Sequence, residues 1–428
     1  RRNTRSFPRR KCDAVLDQID WIEEHFTERE PEVLAFLPEA DRFSRVRREA
    51  RQLLKQYPQP DRRPPLFGVL IGVKDIFRVD GFPTRAGSRL PPELFAGEEA
   101  ESVTRLRAAG ALVLGKTVST EFAYFAPGPT RNPHNLQHTP GGSSSGSAAA
   151  VAAGLCPLAL GSQTIGSIIR PAAFCGVIGY KPSYDRISRA GVIPMSPSLD
   201  HVGLFALKVA DMASAAKILI DHWESEILNR QPILGIPAGP YLHHASEEGL
   251  QYFRSACDHL QAAGYEIKPA QSMPDFEAIC TRHNLIVAAE AARVHIDWFA
   301  HYGDLYHPQT AELIRRGQQI SDKTLADALS GRAQLRDELG ELMAVNHIDL
   351  WISPATIGPA PLGLDSTGDP IMNLPWTHSG LPALSLPCGT NEAGLPLGLQ
   401  VVGGWYSDEQ LLNWVEQLER VVKNHVDQ

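Results

Sequence analysis

Two serine–glycine stretches hold the groups best suited to chemistry. Residues 141–147 read GGSSSGS and residues 164–171 read TIGSIIRP. Such runs often serve as flexible spacers, yet the first leads straight into AAAVAAGLCPLALG, an apolar segment suited to a core. A serine hydroxyl becomes a nucleophile when a base takes its proton and N–H donors receive the charge on the attacked carbonyl oxygen. Ser143, Ser144 and Ser145 lie in a glycine loop at a helix N-terminus. Ser167 lies in another, after Thr164, Ile165 and Gly166, and a loop of this kind aims several backbone N–H groups at one spot. Lys74 follows the apolar run LFGVLIGV. A lysine at the end of a buried strand is costly unless it is paired or neutral, and a neutral amine is a general base. Nucleophile, base and oxyanion donors are thus available without histidine or metal. A lone V-K-D or S-S-S-G is more often structural; the ordered combination carries the information.

The elements that must position these groups follow from periodicity. Residues 14–57 read as helices with apolar residues at i, i+3, i+4 spacing, closed by the prolines of YPQPDRRPP. LFGVLIGVKDIF reads as a strand, SVTRLRAAGALVLGKT as helix, glycine stop and strand, and 126–142 as a loop dense in Pro, Gly and Asn. SGSAAAVAAGL predicts a helix, LCPLALG a strand, and SIIRPAAFCGVIGYKPS a helix or turn. A mostly helical region spans 216–345, with strands at PILGIPA and GYEIK and a Ser-capped helix at SEEGLQYFRSACDHLQAAG. Residues 346–428 return to strands at DLWISPA, PALSLPCG and LPLGLQVVGG before a closing helix. Alternating strands and helices predict an α/β fold. No composition break marks a linker, so residues 1–428 read as one domain with a signature core at 66–215 and a flexible basic arm at 1–13.

The 428 residues are 43% hydrophobic and 21% charged, enough for a large core. The formal net charge of −8 gives no sign of nucleic-acid binding. Six scattered cysteines include no C-x-x-C pair, which removes zinc-type spacing. Cys156 and Cys175 read as buried thiols. With no signal-peptide pattern and no run of about 18 apolar residues, the expected setting is the cytoplasm, away from a membrane. His283, His295 and His301 share a stretch with Glu290 and Asp297; His295 and Asp297, two apart, do not share a helix face, and the stretch reads as a surface or packed helix.

The chain resembles the amidase signature family. The resemblance rests on GGSSSGSAAAVAAG followed by GSQTIGSIIRPAAFCGVIGYKPS, on GVKD at 72–75, GKT at 115–117 and SLDHVGLFALKVADMA at 198–213, and on GLPALSLPCG with GLPLGLQVVG near the C-terminus. These runs occur in family order over about residues 14–425. The resemblance implies one α/β domain with a large mixed twisted sheet covered by helices on both sides, and a Lys–cis-Ser–Ser triad. The lysine falls on Lys74, the bridging cis-serine on Ser143 and the nucleophile on Ser167, with the N–H groups of Thr164, Ile165 and Gly166 as the oxyanion hole. Ser144 and Ser145 are left to hold the loop. EFAYFAPGP aligns with a segment lining the acyl pocket, which makes Tyr124 and Phe125 candidate substrate contacts. Trp298, His301 and Tyr302 are expected to cap the cleft and PWTHSG (375–380) to form part of its mouth. No cofactor and no metal are implied.

The implied activity is hydrolysis of C–N bonds in amides or carbamates through an acyl-enzyme on Ser167, by a protein that acts alone or as a homodimer. The chain departs from the family run G-(S/T)-D-T-G-G-S-I-R at Gln163, Ile165 and Ile169, with arginine one place later at Arg170. The glutaminase component of tRNA-dependent amidotransferases keeps the D-T-G-G-S-I-R form, so that role is an alternative. Two others are a Ser–His–Asp hydrolase and a catalytically silent binding subunit.

Overall fold

A computed structural model describes residues 12–224 and 226–426. The basic run at 1–11 lies outside the described residues, and 12–13 already belong to the first helix, Cys12–Val33. Among the described residues ten short segments, most of them apolar, become strands: β1 (Leu70–Lys74), β2 (Leu112–Thr117), β3 (Leu158–Gln163), β4 (Ile178–Lys181), β5 (His201–Ala206), β6 (Leu234–Ala238), β7 (Ile267–Gln271), β8 (Leu350–Pro354), β9 (Ala383–Thr390) and β10 (Pro396–Val402). They form one mixed sheet in the order β2-β1-β3-β5-β4-β9-β10-β8-β6-β7. Every residue of β1 to β5, β8 and β10 is buried. That explains why these runs read as continuous rather than alternating apolar segments. β4 and β5 emerge from segments whose periodicity suggests helix or leaves the state open. Their antiparallel pairing with each other supplies the missing signal.

The sheet places the candidate residues. β1 pairs in parallel with both β2 and β3, so the carboxyl ends of the three strands share one edge. Ligand sites in α/β sheets lie outside such carboxyl ends. Lys74 is the last residue of β1, and Ser162 and Gln163 end β3. The loop to Ser167 leaves from that edge. The helix Ser145–Ala152 packs on β1, β2, β3 and β5. Its small residues permit this. A Cβ on Gly146 would stand 2.2 Å from the Ala35 carbonyl oxygen and 2.4 Å from the Val118 nitrogen, a contact no larger residue could make.

The run GALVLGKT at 110–117 has the spacing of a phosphate-binding loop. Here it enters β2, and Lys116 is buried and paired with Asp75 at 2.8 Å. A lysine committed to an interior ion pair inside a strand is not a phosphate cradle. Among the described residues no helix is long and apolar enough to cross a membrane.

Candidate active site

Lys74 is fully buried. Its Nζ lies 2.7 Å from Ser143 Oγ and 2.8 Å from Ser162 Oγ. Burial holds the amine well below the ordinary lysine range, opposed by the charge of Asp200. A neutral amine carries one lone pair and two N–H bonds. It can therefore accept from one hydroxyl while donating to the other. Motif spacing does not single out Ser162. Its signal lies in register: it sits next to the end of a strand parallel to the one that ends in Lys74.

The serine loop is held by its own hydroxyls. Ser144 Oγ donates to the Ser162 carbonyl at 3.1 Å and accepts from the Ser162 nitrogen at 3.3 Å. Ser145 Oγ donates to the Gly141 carbonyl at 2.7 Å, and Ser147 Oγ to the Leu160 carbonyl at 2.8 Å. Residues 142–146 also have the G-x-S-x-G spacing of a nucleophile elbow, but its central serine, Ser144, is spent on the backbone of β3. Only Ser143 faces the lysine. The peptide joining Gly142 to Ser143 is cis, and its Gly142 carbonyl accepts from Arg170 Nη2 at 2.7 Å.

Gln163 organises the second loop. Its Oε1 accepts from the nitrogens of Ile168 and Ile169 at 2.8 and 3.0 Å, and its Nε2 donates to Thr377 Oγ1 at 2.9 Å. Thr377 Oγ1 in turn donates to the Ile165 carbonyl at 2.6 Å. The N–H groups of Thr164, Ile165, Gly166 and Ser167 form no hydrogen bond among the described residues. Four consecutive free donors beside a serine suit an oxyanion. Gly166 permits the approach of Asn373, whose Oδ1 would lie 2.5 Å from an added Cβ. Gly166→Ala is expected to displace the loop and lower kcat about 10²-fold, the scale of one lost oxyanion donor. Steady-state rates beside a thermal midpoint check it; a rate within twofold of wild type contradicts it.

Ser167, Tyr124 and Phe125 line one narrow pocket, together with Thr164, Ile165 and Arg170. Phe122 and Ala123, just before the two aromatics, adopt φ of 48° and 60°. Non-glycine residues seldom enter this left-handed region. Phe122 is fixed there by stacking on Tyr306 and by edge contacts to Phe95 and His295. Arg170 is fully buried, and burial lowers its guanidinium to about 9 against the pull of Asp369.

Several expected contacts fall elsewhere. Trp298 packs into the Phe95–Phe122 cluster, and neither it, His301 nor Tyr302 lines the pocket. Val287, from the same helical region, does. Trp376 of PWTHSG is buried and donates to Tyr241 Oη at 3.0 Å, so that segment is core; Pro370, just before it, reaches the pocket. His283 is buried against His378, and Glu290 accepts from Ser196 Oγ at 2.6 Å. Among the described residues no group of three or more His, Cys, Asp or Glu is arranged to hold a metal ion.

Asp200 accepts from Thr164 Oγ1 at 2.6 Å and from the nitrogens of Met195 and Ser196 at 2.8 and 3.0 Å. Burial raises its carboxyl to about 6 despite these bonds. Its charge favours the protonated form of Lys74. Asp200→Asn keeps the geometry, because an amide can accept from the two nitrogens and donate to Thr164. The acid limb of the pH–rate profile is therefore expected to move to lower pH. An unmoved limb, or one moved upward, contradicts the coupling.

The Amidase family model matches residues 40–412. A glutamyl-tRNA(Gln) amidotransferase subunit from Synechococcus sp. (strain WH7803) is 31% identical over 447 residues, covering 91% of this chain and 90% of that protein. A solved amidase structure superimposes with a TM-score of 0.85 at 32% identity over 96% of both chains. The native peptide amidase from Stenotrophomonas maltophilia gives a TM-score of 0.80 at 25% identity, covering 96% of this chain and 94% of its own. Likeness to the amidotransferase protein is thus as strong in sequence as likeness to the solved amidase. The departures at Gln163, Ile165 and Ile169 do not separate the two by overall similarity.

Proposed function

The chain belongs to the amidase signature family, and on that premise we propose that it is a serine-type hydrolase that cleaves the C–N bond of an amide or carbamate through an acyl-enzyme on Ser167. The observation that carries this reading is the buried Lys74 amine at 2.7 Å from Ser143 Oγ, beside a loop of free N–H donors that ends in Ser167. Ser143 passes its proton to Lys74 as it takes that of Ser167. Ser167 Oγ bonds to the carbonyl carbon, and the oxygen gains its charge opposite the N–H groups of Thr164, Ile165 and Gly166. On collapse the C–N bond breaks, Ser143 hands a proton to the leaving nitrogen, and Lys74 restores Ser143. Water repeats the sequence and frees the acid. Ser143 Oγ is bonded to Lys74 rather than to Ser167 in the free protein; catalytic contacts commonly tighten once substrate is bound. Tyr124 and Phe125 would wall the acyl group.

Incubating wild type and Ser167→Ala with primary amides, anilides, carbamates and ureido acids, with products read by mass, tests the reading. Products from wild type alone support it. Equal turnover by both proteins removes Ser167 from the chemistry.

Similarity to the Synechococcus protein favours a second reading, a glutaminase-type component of an amidotransferase. Such a protein would co-purify with partner proteins and release ammonia from glutamine. A free-standing hydrolase is preferred here because Gln163, Ile165 and Ile169 replace the D-T-G-G-S-I-R residues of that class.

A further inference from the structure

A second cavity, of about 260 Å³, adjoins the pocket of Ser167 and shares Ala123, Thr164 and Met195 with it. Its lining is largely apolar, with Ile76, Val192, Ile193 and Pro194 among the contributors. Of the polar side chains that line it, Thr164 donates to Asp200 and Arg189 pairs with Asp185, which leaves Ser162 and His201. Ser162 lines the cavity, and its hydroxyl is the second partner of the Lys74 amine. His201 lines it too. The ring of His201 is buried, and burial holds it neutral. Its Nδ1 lies 2.6 Å from the Leu199 carbonyl, which only accepts, so Nδ1 carries the hydrogen. Nε2 is left as an acceptor, buried and with no partner among the described residues. That acceptor is closed to solvent in the free protein, so a donor held in the cavity would reach it only with a small shift of the ring.

The chemistry of the relay says which half of a substrate belongs there. The leaving nitrogen must collect a proton from Ser143, so its substituent extends on the side of the relay. The cavity reaches the relay through Ser162. The smaller pocket holds Tyr124, Phe125, Arg170 and Val287 instead. We infer that the cavity bounded by Ile76, Ile193 and His201 is the subsite for the leaving amine, and that the preferred substrate joins a small acyl group to an aryl or alkyl amine bearing a distal hydrogen-bond donor. The inference rests on the acyl-enzyme reading. Ammonia, the leaving group of a primary amide, would fill none of this space. Met195, lining both spaces, is a side chain flexible enough to adapt to what passes between them.

Aminolysis of the acyl-enzyme tests the subsite without knowledge of the natural substrate. The protein is acetylated with p-nitrophenyl acetate in the presence of ammonia, phenethylamine or tyramine. The amine nitrogen attacks the acetyl carbon, the bond from that carbon to Ser167 Oγ breaks, and the nitrogen's proton returns to Ser167 through Ser143. N-acetyl product is compared with acetate at equal free-base concentration. Phenethylamine is expected to partition saturably and at least about tenfold better than ammonia, the scale of one filled apolar subsite. Tyramine, whose hydroxyl can donate to His201, should exceed phenethylamine. Val192→Trp, which fills the cavity from its rim, should lower the amine-to-ammonia ratio. If Ser167 takes the acetyl group and ammonia competes as well as the aryl amines, the subsite is wrong and the acyl-enzyme stands. If Ser167 is never acetylated, both fall. Equal partition of tyramine and phenethylamine removes His201 as the acceptor.

Discussion

Lys74→Met is expected to lower kcat/KM by about 10³- to 10⁴-fold, the upper range for loss of a general base, and to free the fold from part of its acid sensitivity. Both effects come from one fact. The amine is fully buried and held well below the ordinary lysine range. It is neutral in the fold and protonated in the unfolded chain over the range between the two pKa values. The unfolded state therefore binds the extra proton, and wild-type stability falls as pH falls, by up to about 1.4 kcal/mol per pH unit from this group. The slope ends where the folded amine also takes a proton. Methionine has no such slope. Urea melts at pH 6 and pH 9 should show the Lys74→Met variant gaining on wild type at the lower pH; parallel dependences contradict a neutral lysine. The wild-type rate should rise with pH through the lowered pKa and then level. Lys74→Arg should not restore activity, because a guanidinium stays charged.

Ser167→Ala should abolish turnover, a loss of at least about 10⁴-fold on the scale of other serine nucleophiles. The same change should cost little stability. Ser167 lines the pocket and is not among the hydroxyls that hold either loop, so the thermal midpoint should shift by no more than about 0.5 kcal/mol equivalent. Ser143→Ala should be nearly as damaging, and the double variant hardly worse than either single one, because residues of one relay fail together. Additive losses in the double variant would mean that the two serines act independently.

Much of this site can be read from the chain alone. Lys74 at the end of an apolar run, and serines in glycine loops before two helices, are local patterns, and β1 and β3 bring them together. Gln163 stands out as a departure, but its work does not. A single amide fixing Ile168, Ile169 and Thr377 depends on residues more than 200 positions apart. The same distance hides Thr377 on the Ile165 carbonyl. Trp376 belongs to the interior and Trp298 packs, partly buried, against the core rather than in the pocket; sequence misplaces them because an aromatic beside polar neighbours reads alike in a mouth and in a core. Contacts with Phe95 in one case and Tyr241 in the other decide their places. Strand β4 is obscured because IGYK has no alternation to show when both faces are buried. The cavity beside Ser162 has no sequence signature, since its walls come from separate turns.

The proposed chemistry stands or falls with Ser167 as the nucleophile, activated by Lys74 through Ser143. A fluorophosphonate that phosphonylates activated serines, followed by peptide mass mapping, tests it most directly. One adduct per chain is expected, on the peptide carrying Ser167, formed by wild type and lost in both Ser167→Ala and Lys74→Met. An adduct on Ser143 or Ser144, or labelling of Ser167 that survives Lys74→Met unchanged, would contradict it.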